Sequence, residues 1–238
     1  MKLRKEATIP ASICDANVRL SVKGVFDLTQ DYLTEMMGIL KIDGVTLRER
    51  YGCVWIFTRN RIEIDRDLMW NEPYVAESYI SSAKGAKMTV DTVLKDMEGA
   101  VCAYSRIEMC VLELSTQKLR RIRDVGVTSD AVVEAPEREI KFSRLKHEGL
   151  DEVDRLVVKS GDIDFIQHTN NVSYVRFIMN TYTVRELREQ PIRAIEVRYA
   201  DQTHEGDTLV IRKAVRDGKE LFDVVHGDSV AVECEIER

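Results

Sequence analysis

Residues 161–177 read GDIDFIQHTNNVSYVRF, and they join a polar run to an apolar one. The polar run holds Asp162, Asp164, His168, Asn170 and Asn171. Asn and Asp often cap the start of a helix, because their side chains accept hydrogen bonds from the free N–H groups of its first turn. The stretch therefore predicts the start of a buried helix, with more ionisable and amide groups than a cap requires.

The apolar run continues as a helix with one apolar face, formed by Val172, Val175, Met179 and Tyr182. An extended segment, DEVDRLVVKS, precedes the polar run, and four segments rich in β-branched residues follow the helix: PIRAIEVRYAD, DTLVIRKAV, ELFDVVHG and SVAVECEIER. Such segments are typical of strands, and RDGK at 216–219 supplies a hairpin turn. The C-terminal half is thus predicted to be a strand, a helix and an antiparallel meander.

The N-terminal half shows the same order of elements. An extended segment at 7–13 leads to a helix with Ser21 as its predicted N-cap and Gly44 just beyond its end. The apolar face of this helix is formed by Phe26, Leu33, Met37 and Leu40. Strands are predicted in CVWIFTRNRIEID, YVAESYIS, KMTVDTVLK and AVCAYSRIEMCVLEL, the last of which alternates with the period of two that a strand requires.

The two meanders align with each other without a gap. Residues 61–75 lie over residues 194–208, which pairs Ile62 with Ile195 and Glu72 with Glu205. Because this agreement accompanies the same order of elements, it indicates an internal duplication.

A helix wrapped by a curled antiparallel sheet, twice in one chain, is the α+β double hotdog architecture. We therefore expect an N-terminal hotdog domain at 1–116 and a linker at 117–150. The C-terminal hotdog domain is expected at 151–238, and it carries the polar stretch described above.

Composition excludes several classes of protein. The chain has 238 residues, of which 44% are apolar and 32% charged, an ordinary globular balance. Without a signal-peptide pattern or an apolar run near the roughly 20 residues that span a bilayer, we expect a cytoplasmic protein that does not enter membranes. The five cysteines include no CxxC pair, which argues against a zinc site, and the net charge of −6 argues against nucleic acid.

Three segments together resemble the acyl-acyl-carrier-protein (acyl-ACP) thioesterases. SGDIDFIQHTNNVSYVRFI is similar to the motif of their second hotdog, and WIFTRNRIEIDRDLMWNEPYVAES to the strands of their first. STQKLRRI resembles the basic segment that ends the first hotdog. The resemblance implies hydrolysis of the thioester between a fatty acyl chain and the phosphopantetheine arm of acyl carrier protein, in fatty acid biosynthesis and without a metal or other cofactor.

The resemblance also implies roles for residues of the polar stretch. Thioester cleavage needs a base or nucleophile and donors for the developing oxyanion. We expect Asp164 to act as base or nucleophile or to orient the thioester, and His168 to activate water or polarise the carbonyl. The helix start at Asn170, Asn171 and Val172 is the predicted oxyanion site, since free N–H groups there favour negative charge.

Two departures from the family pattern concern this site. Ile166 stands where the family has an Asn, and Ala200-Asp201 stand where plant-type members have Glu-Cys. No cysteine of this chain occupies that place, which argues against a cysteine nucleophile. Asp201 either acts as a base near His168 or is an exposed residue at a strand end.

The basic segment and two other histidines complete the predictions. Lys118, Arg120, Arg121 and Arg123 form either a solvated strand end or a docking patch for acyl carrier protein, which is acidic. His147 and His204 are expected at the surface. Two other functions stay open: an acyl-CoA thioesterase, and a non-hydrolysing acyl-carrier or lipid-binding module, which Ile166 favours. A monomer and a homodimer both fit a chain that already holds two hotdogs.

Overall fold

The computed structural model describes residues 1–133, 136–144 and 147–238. The chain divides into two compact units. The main division falls between Lys141 and Phe142, inside the segment 117–150 that was predicted as the linker. Unit 1 comprises Met1–Leu20 and Gly24–Lys141, and unit 2 comprises Ser21–Lys23 and Phe142–Arg238. None of the helices in the described parts of the chain combines the length and the apolar character that a membrane-spanning helix needs.

Unit 1 is built on an antiparallel sheet. Its strands are β1 (Lys2–Thr8), β2 (Cys53–Ile64), β3 (Pro73–Lys84), β4 (Lys87–Lys95), β5 (Val101–Glu113) and β6 (Lys118–Arg120). They lie in the order β1-β3-β4-β5-β2, and the short β6 pairs with β5. The predicted meander is confirmed, with strand ends that differ from the predicted ones by a few residues at most.

The helix α1 (Val22–Leu40) packs its apolar face on this sheet. Leu33, Met36 and Met37 share a core with side chains of β3, β4 and β5, which the helical spacing of these apolar residues predicts. A second helix, α2 (Gly44–Tyr51), was not predicted. It begins where Asp43 accepts hydrogen bonds from the N–H groups of its first turn, so Gly44, which lies beyond the end of α1 as expected, is also the first residue of α2.

Unit 2 repeats the arrangement. Its strands are β7 (Asp151–Val157), β8 (Ala194–Tyr199), β9 (Thr208–Arg216), β10 (Lys219–His226) and β11 (Ser229–Glu237), in the order β8-β11-β10-β9-β7. The helices are α3 (Asn171–Met179) and α4 (Val184–Glu189). Helix α3 buries Val172 and Val175 of the predicted apolar face and also Tyr174 and Phe177, but it ends before Tyr182. The short α4 was not predicted, although Thr183 and Glu186 form a capping box at its start.

Described residues of the predicted linker pack on the unit to which each belongs. In unit 1, the Arg106 guanidinium donates to the carbonyl oxygens of Arg138 (3.1 Å) and Ile140 (2.9 Å). In unit 2, the side chain of His147 is only 4% exposed, and its Nδ1 lies 2.6 Å from Oδ1 of Asp223. The expectation that His147 is a surface residue is therefore wrong, because its imidazole is the partner of a buried carboxylate that burial alone would destabilise.

Candidate active site

The polar stretch that precedes α3 forms a tight loop around Asp164. The Asp164 N–H donates to the carbonyl of His168 (2.9 Å), and the Gln167 N–H donates to the carbonyl of Asp164 (3.0 Å). Oδ1 of Asp164 accepts from the N–H groups of Ile166 (2.9 Å) and His168 (3.4 Å). Gln167 takes up a positive φ of 68° at the bend. One carboxylate oxygen of Asp164 is thus occupied in holding the loop.

Unit 1 contains the same loop ahead of α1. The Asp15 N–H donates to the carbonyl of Arg19 (2.7 Å), and the Val18 N–H donates to the carbonyl of Asp15 (3.0 Å). Oδ1 of Asp15 accepts from the N–H groups of Asn17 (2.8 Å) and Arg19 (3.1 Å), and Val18 has a φ of 64°. The duplication therefore extends to this loop, and the two bonds to the aspartate Oδ1 are a structural role common to both copies.

The two loops differ in the residue that follows the bend. In unit 1 the Arg19 guanidinium bonds Oδ2 of Asp15 (3.0 Å) and Oδ2 of Asp67 (3.2 Å), so two carboxylates hold it. In unit 2 the corresponding residue is His168, and Oδ2 of Asp164 takes part in neither loop bond. Unit 2 keeps the loop, with an imidazole in place of the guanidinium and with Oδ2 of Asp164 outside the two loop bonds.

Hydrogen bonds between two threonines fix the end of this loop to the segment after β8. The Thr169 N–H donates to the carbonyl of Thr203 (2.8 Å), and the two hydroxyl oxygens lie 2.7 Å apart. The Tyr174 hydroxyl, on α3, lies 2.7 Å from Oγ1 of Thr203. Because all three side chains are buried, the residues next to the threonines are held in fixed places.

Those neighbours are His168 and His204, whose rings are in contact. The ring centroids lie 5.1 Å apart with an interplanar angle of 78°, an edge-on arrangement. Nδ1 of His168 is buried and has no hydrogen-bond partner among the residues that the structure describes. The side chain of His204 is 60% exposed, which confirms its expected surface position. Its contact with His168 was not predicted.

Hydrogen bonds at the start of α3 reduce the number of N–H groups that are available to the predicted oxyanion site. Oδ1 of Asn170 accepts from the Val172 N–H (2.9 Å), and the carbonyl of Asn170 accepts from the Ser173 N–H (2.8 Å). Asn170 is therefore the N-cap of α3, and the Val172 N–H donates to this cap instead of facing a ligand. The Asn171 N–H is the first of the helix and has no intrahelical acceptor, so it is the donor that geometry leaves for an oxyanion.

Asp162 holds the start of α3 in place through its carboxylate and its carbonyl oxygen. Its carboxylate accepts from the Lys159 N–H (2.8 Å) and pairs with the Arg176 guanidinium on α3. Its carbonyl accepts from the Asn170 N–H (2.8 Å) and from the Ser173 hydroxyl (3.2 Å). Asp162 is buried, and its role is structural.

Asp201 lies just beyond the end of β8 and is exposed. Its N–H donates to the carbonyl of Ala231 (3.2 Å), and its Oδ1 accepts from the Gln202 N–H (2.8 Å). These bonds correspond to the strand-end role. A role of Asp201 as a base near His168 stays a prediction. The carboxylate that is hydrogen-bonded to His168, through its N–H, is that of Asp164.

The segment after β8 also corrects the alignment of the two copies. In unit 1, the Met69 N–H donates to Oε2 of Glu72 at 2.8 Å. In unit 2, the His204 N–H donates to Oδ2 of Asp207 at 2.8 Å. Glu72 thus corresponds to Asp207 and not to Glu205. The ungapped alignment misplaced the copies by two residues, a shift that leaves the inward and outward faces of a strand unchanged.

The arginines of the basic segment of unit 1 differ in exposure and in their partners. Arg120 is half-buried, and its guanidinium pairs with Oε1 of Glu113 at 3.3 Å. Arg121 is exposed, and so is Arg123, whose side chain is 72% exposed and whose Nε lies 3.6 Å from Oδ1 of Asp124. Both arginines line a cavity of about 600 Å³. The other residues of this cavity are Ala83, Gly85, Ile122, Val127, Thr128 and Ser129. Arg121 and Arg123 therefore line the same cavity, whereas Arg120 pairs with Glu113 and is not among the lining residues.

The described residues offer no metal centre. Within 1–133, 136–144 and 147–238, no three His, Cys, Asp or Glu side chains are arranged to hold a metal ion. The five cysteines are free thiols, and Cys53, Cys102, Cys110 and Cys234 are buried.

The sequence is similar to those of curated plant thioesterases. The chain is 21% identical over 177 residues to the chloroplastic oleoyl-acyl carrier protein thioesterase 2 of Arabidopsis thaliana, a match that covers 69% of this chain and 48% of that protein. It is 22% identical over 156 residues to the chloroplastic palmitoyl-acyl carrier protein thioesterase of the same plant, covering 61% of this chain and 37% of that protein. The matched region spans about half the length of these relatives or less.

Solved structures share the fold along the whole chain. The acyl-ACP thioesterase from Bacteroides thetaiotaomicron superposes with a TM-score of 0.91 at 20% identity, covering 99% of this chain and 97% of that one. The 12:0-ACP thioesterase from Umbellularia californica gives a TM-score of 0.82 at 18% identity, with 99% and 96% covered. These likenesses confirm the double hotdog fold.

Family models match both halves of the sequence. The acyl-ACP thioesterase N-terminal domain matches residues 1–128, and the C-terminal domain matches residues 145–236. With most of its length matched in this order, the chain belongs to the acyl-ACP thioesterase family.

Proposed function

We propose that this protein hydrolyses fatty acyl-ACP to a free fatty acid and acyl carrier protein. The observation that carries this proposal is the difference between the two copies of one loop. Both copies use an aspartate to hold the loop, but only in unit 2 does an imidazole take the place of the guanidinium that closes the loop in unit 1. That imidazole belongs to His168, directly before the start of α3.

In the proposed reaction, His168 accepts a proton from the attacking water. The water oxygen bonds to the thioester carbonyl carbon, and the carbonyl oxygen takes on negative charge. The Asn171 N–H, at the positive end of α3, stabilises that charge. When the C–S bond breaks, the imidazolium returns the proton to the phosphopantetheine sulfur, so that the carrier leaves as a thiol. Asp164 holds the main chain of His168, and its negative charge favours the imidazolium that forms during the step.

Ile166 does not prevent the loop from forming. Its N–H, not its side chain, donates to Oδ1 of Asp164. The residue at this place in unit 1 is Asn17, whose N–H makes the corresponding bond to Asp15. The loop therefore forms with either side chain at this position, and Ile166 removes only the side-chain amide that the family has there.

The cavity lined by Arg121 and Arg123 is the proposed docking place for the carrier. Acyl carrier protein is acidic, and clustered guanidinium groups on a protein of net charge −6 would attract and orient it. Lys118, exposed on β6, adds to this field. Arg120 is left out, because Glu113 already neutralises it.

Release of fatty acid from a panel of acyl-ACPs of different chain length tests the function. We expect turnover by the wild-type protein and a loss of roughly 10²–10⁴-fold in kcat/KM in His168→Ala. Parental rates in both His168→Ala and Asp164→Asn would show that the catalytic assignment is wrong.

Ile166 supports a second candidate, a non-hydrolysing module that binds the acyl carrier. It places an apolar, half-buried side chain where the family has an amide. Tight binding of acyl-ACP without released fatty acid on long incubation would favour this function. Equal turnover of acyl-CoA and acyl-ACP in competition would instead indicate a thioesterase without preference for the carrier.

A further inference from the structure

Catalytic histidines usually have one ring nitrogen bonded to a carboxylate or carbonyl, which fixes the ring and its tautomer. His168 lacks this support, because its Nδ1 is buried with no partner among the described residues. Its main chain is fixed through Asp164, but these bonds do not restrain rotation of the ring about the Cβ–Cγ bond. Another contact must do so if one nitrogen is to face the substrate.

The ring of His204 supplies such a contact. It meets the ring of His168 edge-on at 5.1 Å, an arrangement in which turning the His168 ring would break the contact. Its own place is fixed from two sides. Thr203, the preceding residue, is bonded to Thr169, and the His204 N–H donates to Asp207.

Asp207 restrains this segment further. Its carboxylate lies 3.9 Å from Nδ1 of His204 and 3.6 Å from Nε2 of His226 on β10. The Asp207 N–H donates to the carbonyl of His204 at 3.1 Å, which closes the turn. The ring of His204 therefore projects from a closed turn and not from a loose loop.

Unit 1 has different residues at the positions that correspond to His168 and His204. The counterpart of His204 there is Met69, which makes the same main-chain bond, to Glu72. The counterpart of His168 is Arg19, which Asp15 and Asp67 hold through charge. The pair of rings occurs in the copy that carries the candidate active site, and charge pairing replaces it in the other.

We propose that His204 is a positioning residue for His168, whose ring it holds with Nδ1 buried and Nε2 presented to the thioester. This inference rests on the proposed thioesterase function. His204 acts through ring packing and does not itself contact the reacting atoms.

Two substitutions at position 204 separate ring packing from other roles. His204→Met installs the residue that unit 1 uses, and we expect kcat for acyl-ACP to fall on the order of 10–100-fold with KM unchanged, because the imidazole loses its orientation. His204→Phe keeps a ring and should retain most of the wild-type kcat. Met69→His, the matched change in unit 1, should leave both constants unchanged. Equal losses in His204→Met and His204→Phe would overturn the proposal.

Nitrogen-15 NMR of the histidine side chains gives a readout that does not depend on turnover. We expect one sharp set of His168 ring resonances in the wild-type protein and in His204→Phe, and averaged or doubled resonances in His204→Met. If the wild-type protein fails to hydrolyse acyl-ACP but His204→Met averages or doubles the His168 resonances, the proposed function fails and the positioning role stands. Unchanged His168 resonances in a folded His204→Met protein would overturn the positioning role.

Discussion

Asp164 and His168 are joined by two hydrogen bonds through the main chain of His168. The Asp164 N–H donates to the carbonyl of His168, the His168 N–H donates to Oδ1 of Asp164, and the bend between them is closed by Gln167. Asp15 and Arg19 make the same bonds in unit 1, where they serve the loop alone. Asp164 thus has a structural role through Oδ1, and any part in chemistry falls to its charge and to Oδ2.

Asp164→Asn separates these two roles, because an amide oxygen still accepts the loop bonds but carries no charge. We expect a folded protein whose kcat/KM for acyl-ACP is lower by on the order of 10²-fold, since the imidazolium loses its stabilising charge. Steady-state kinetics together with thermal unfolding measure the two effects.

Asp15→Asn is the matched control in unit 1. It should leave kcat/KM unchanged and lower the free energy of unfolding by roughly 0.5–1.5 kcal/mol, because it weakens the bonds to the Arg19 guanidinium. A similar loss of activity in both variants would mean that Asp164 acts through the fold and not through its charge.

Ile166→Asn introduces a side-chain donor at the position where the family has an Asn. The loop should persist, because position 166 contributes only its N–H to Asp164. We expect kcat/KM for acyl-ACP to rise roughly tenfold, since a donor near a developing oxyanion is worth at least that much. Ile166→Val, which adds no donor, is the control, and an equal gain in this variant would contradict the role of the amide.

The order of elements could be predicted because apolar residues alternate along the strands and recur with helical spacing along α1 and α3. The short helices α2 and α4 were missed, although Asp43 and the Thr183–Glu186 pair mark their starts. The site was predicted only in part, because a motif shows residue types that are adjacent in sequence. His204 meets His168 through the bond between Thr169 and Thr203, and no local pattern reports such a contact.

Charge reversal at the cavity of unit 1 tests docking of the carrier. In Arg121→Glu/Arg123→Glu, we expect KM for acyl-ACP to rise on the order of tenfold at low ionic strength, because the attraction to an acidic partner becomes repulsion. KM for acyl-CoA should change little, and the difference should shrink as salt screens the charges.

Arg185→Glu is the control for this pair. Arg185 is 84% exposed on α4 of unit 2 and lies outside the cavity. Reversing its charge should not alter KM for either substrate. An equal rise in KM for acyl-ACP and acyl-CoA in the double variant would rule out a carrier-specific surface.

His147 should make the stability of unit 2 depend on pH. Burial alone would lower the pKa of His147, but the hydrogen bond to Asp223 and the charges of Asp223, Glu233 and Glu235 outweigh it and raise this pKa above its ordinary value of 6.5. The folded state therefore favours the protonated imidazole. The stability that results from this preference is complete below pH 6.5 and is lost as the pH rises through the folded-state pKa.

His147→Gln should lower the free energy of unfolding by on the order of 3 kcal/mol at pH 6, with a smaller difference at pH 9. Thermal unfolding of both proteins across this range measures the difference, and a gap that stays constant with pH would show that His147 stabilises unit 2 through packing and not through its charge.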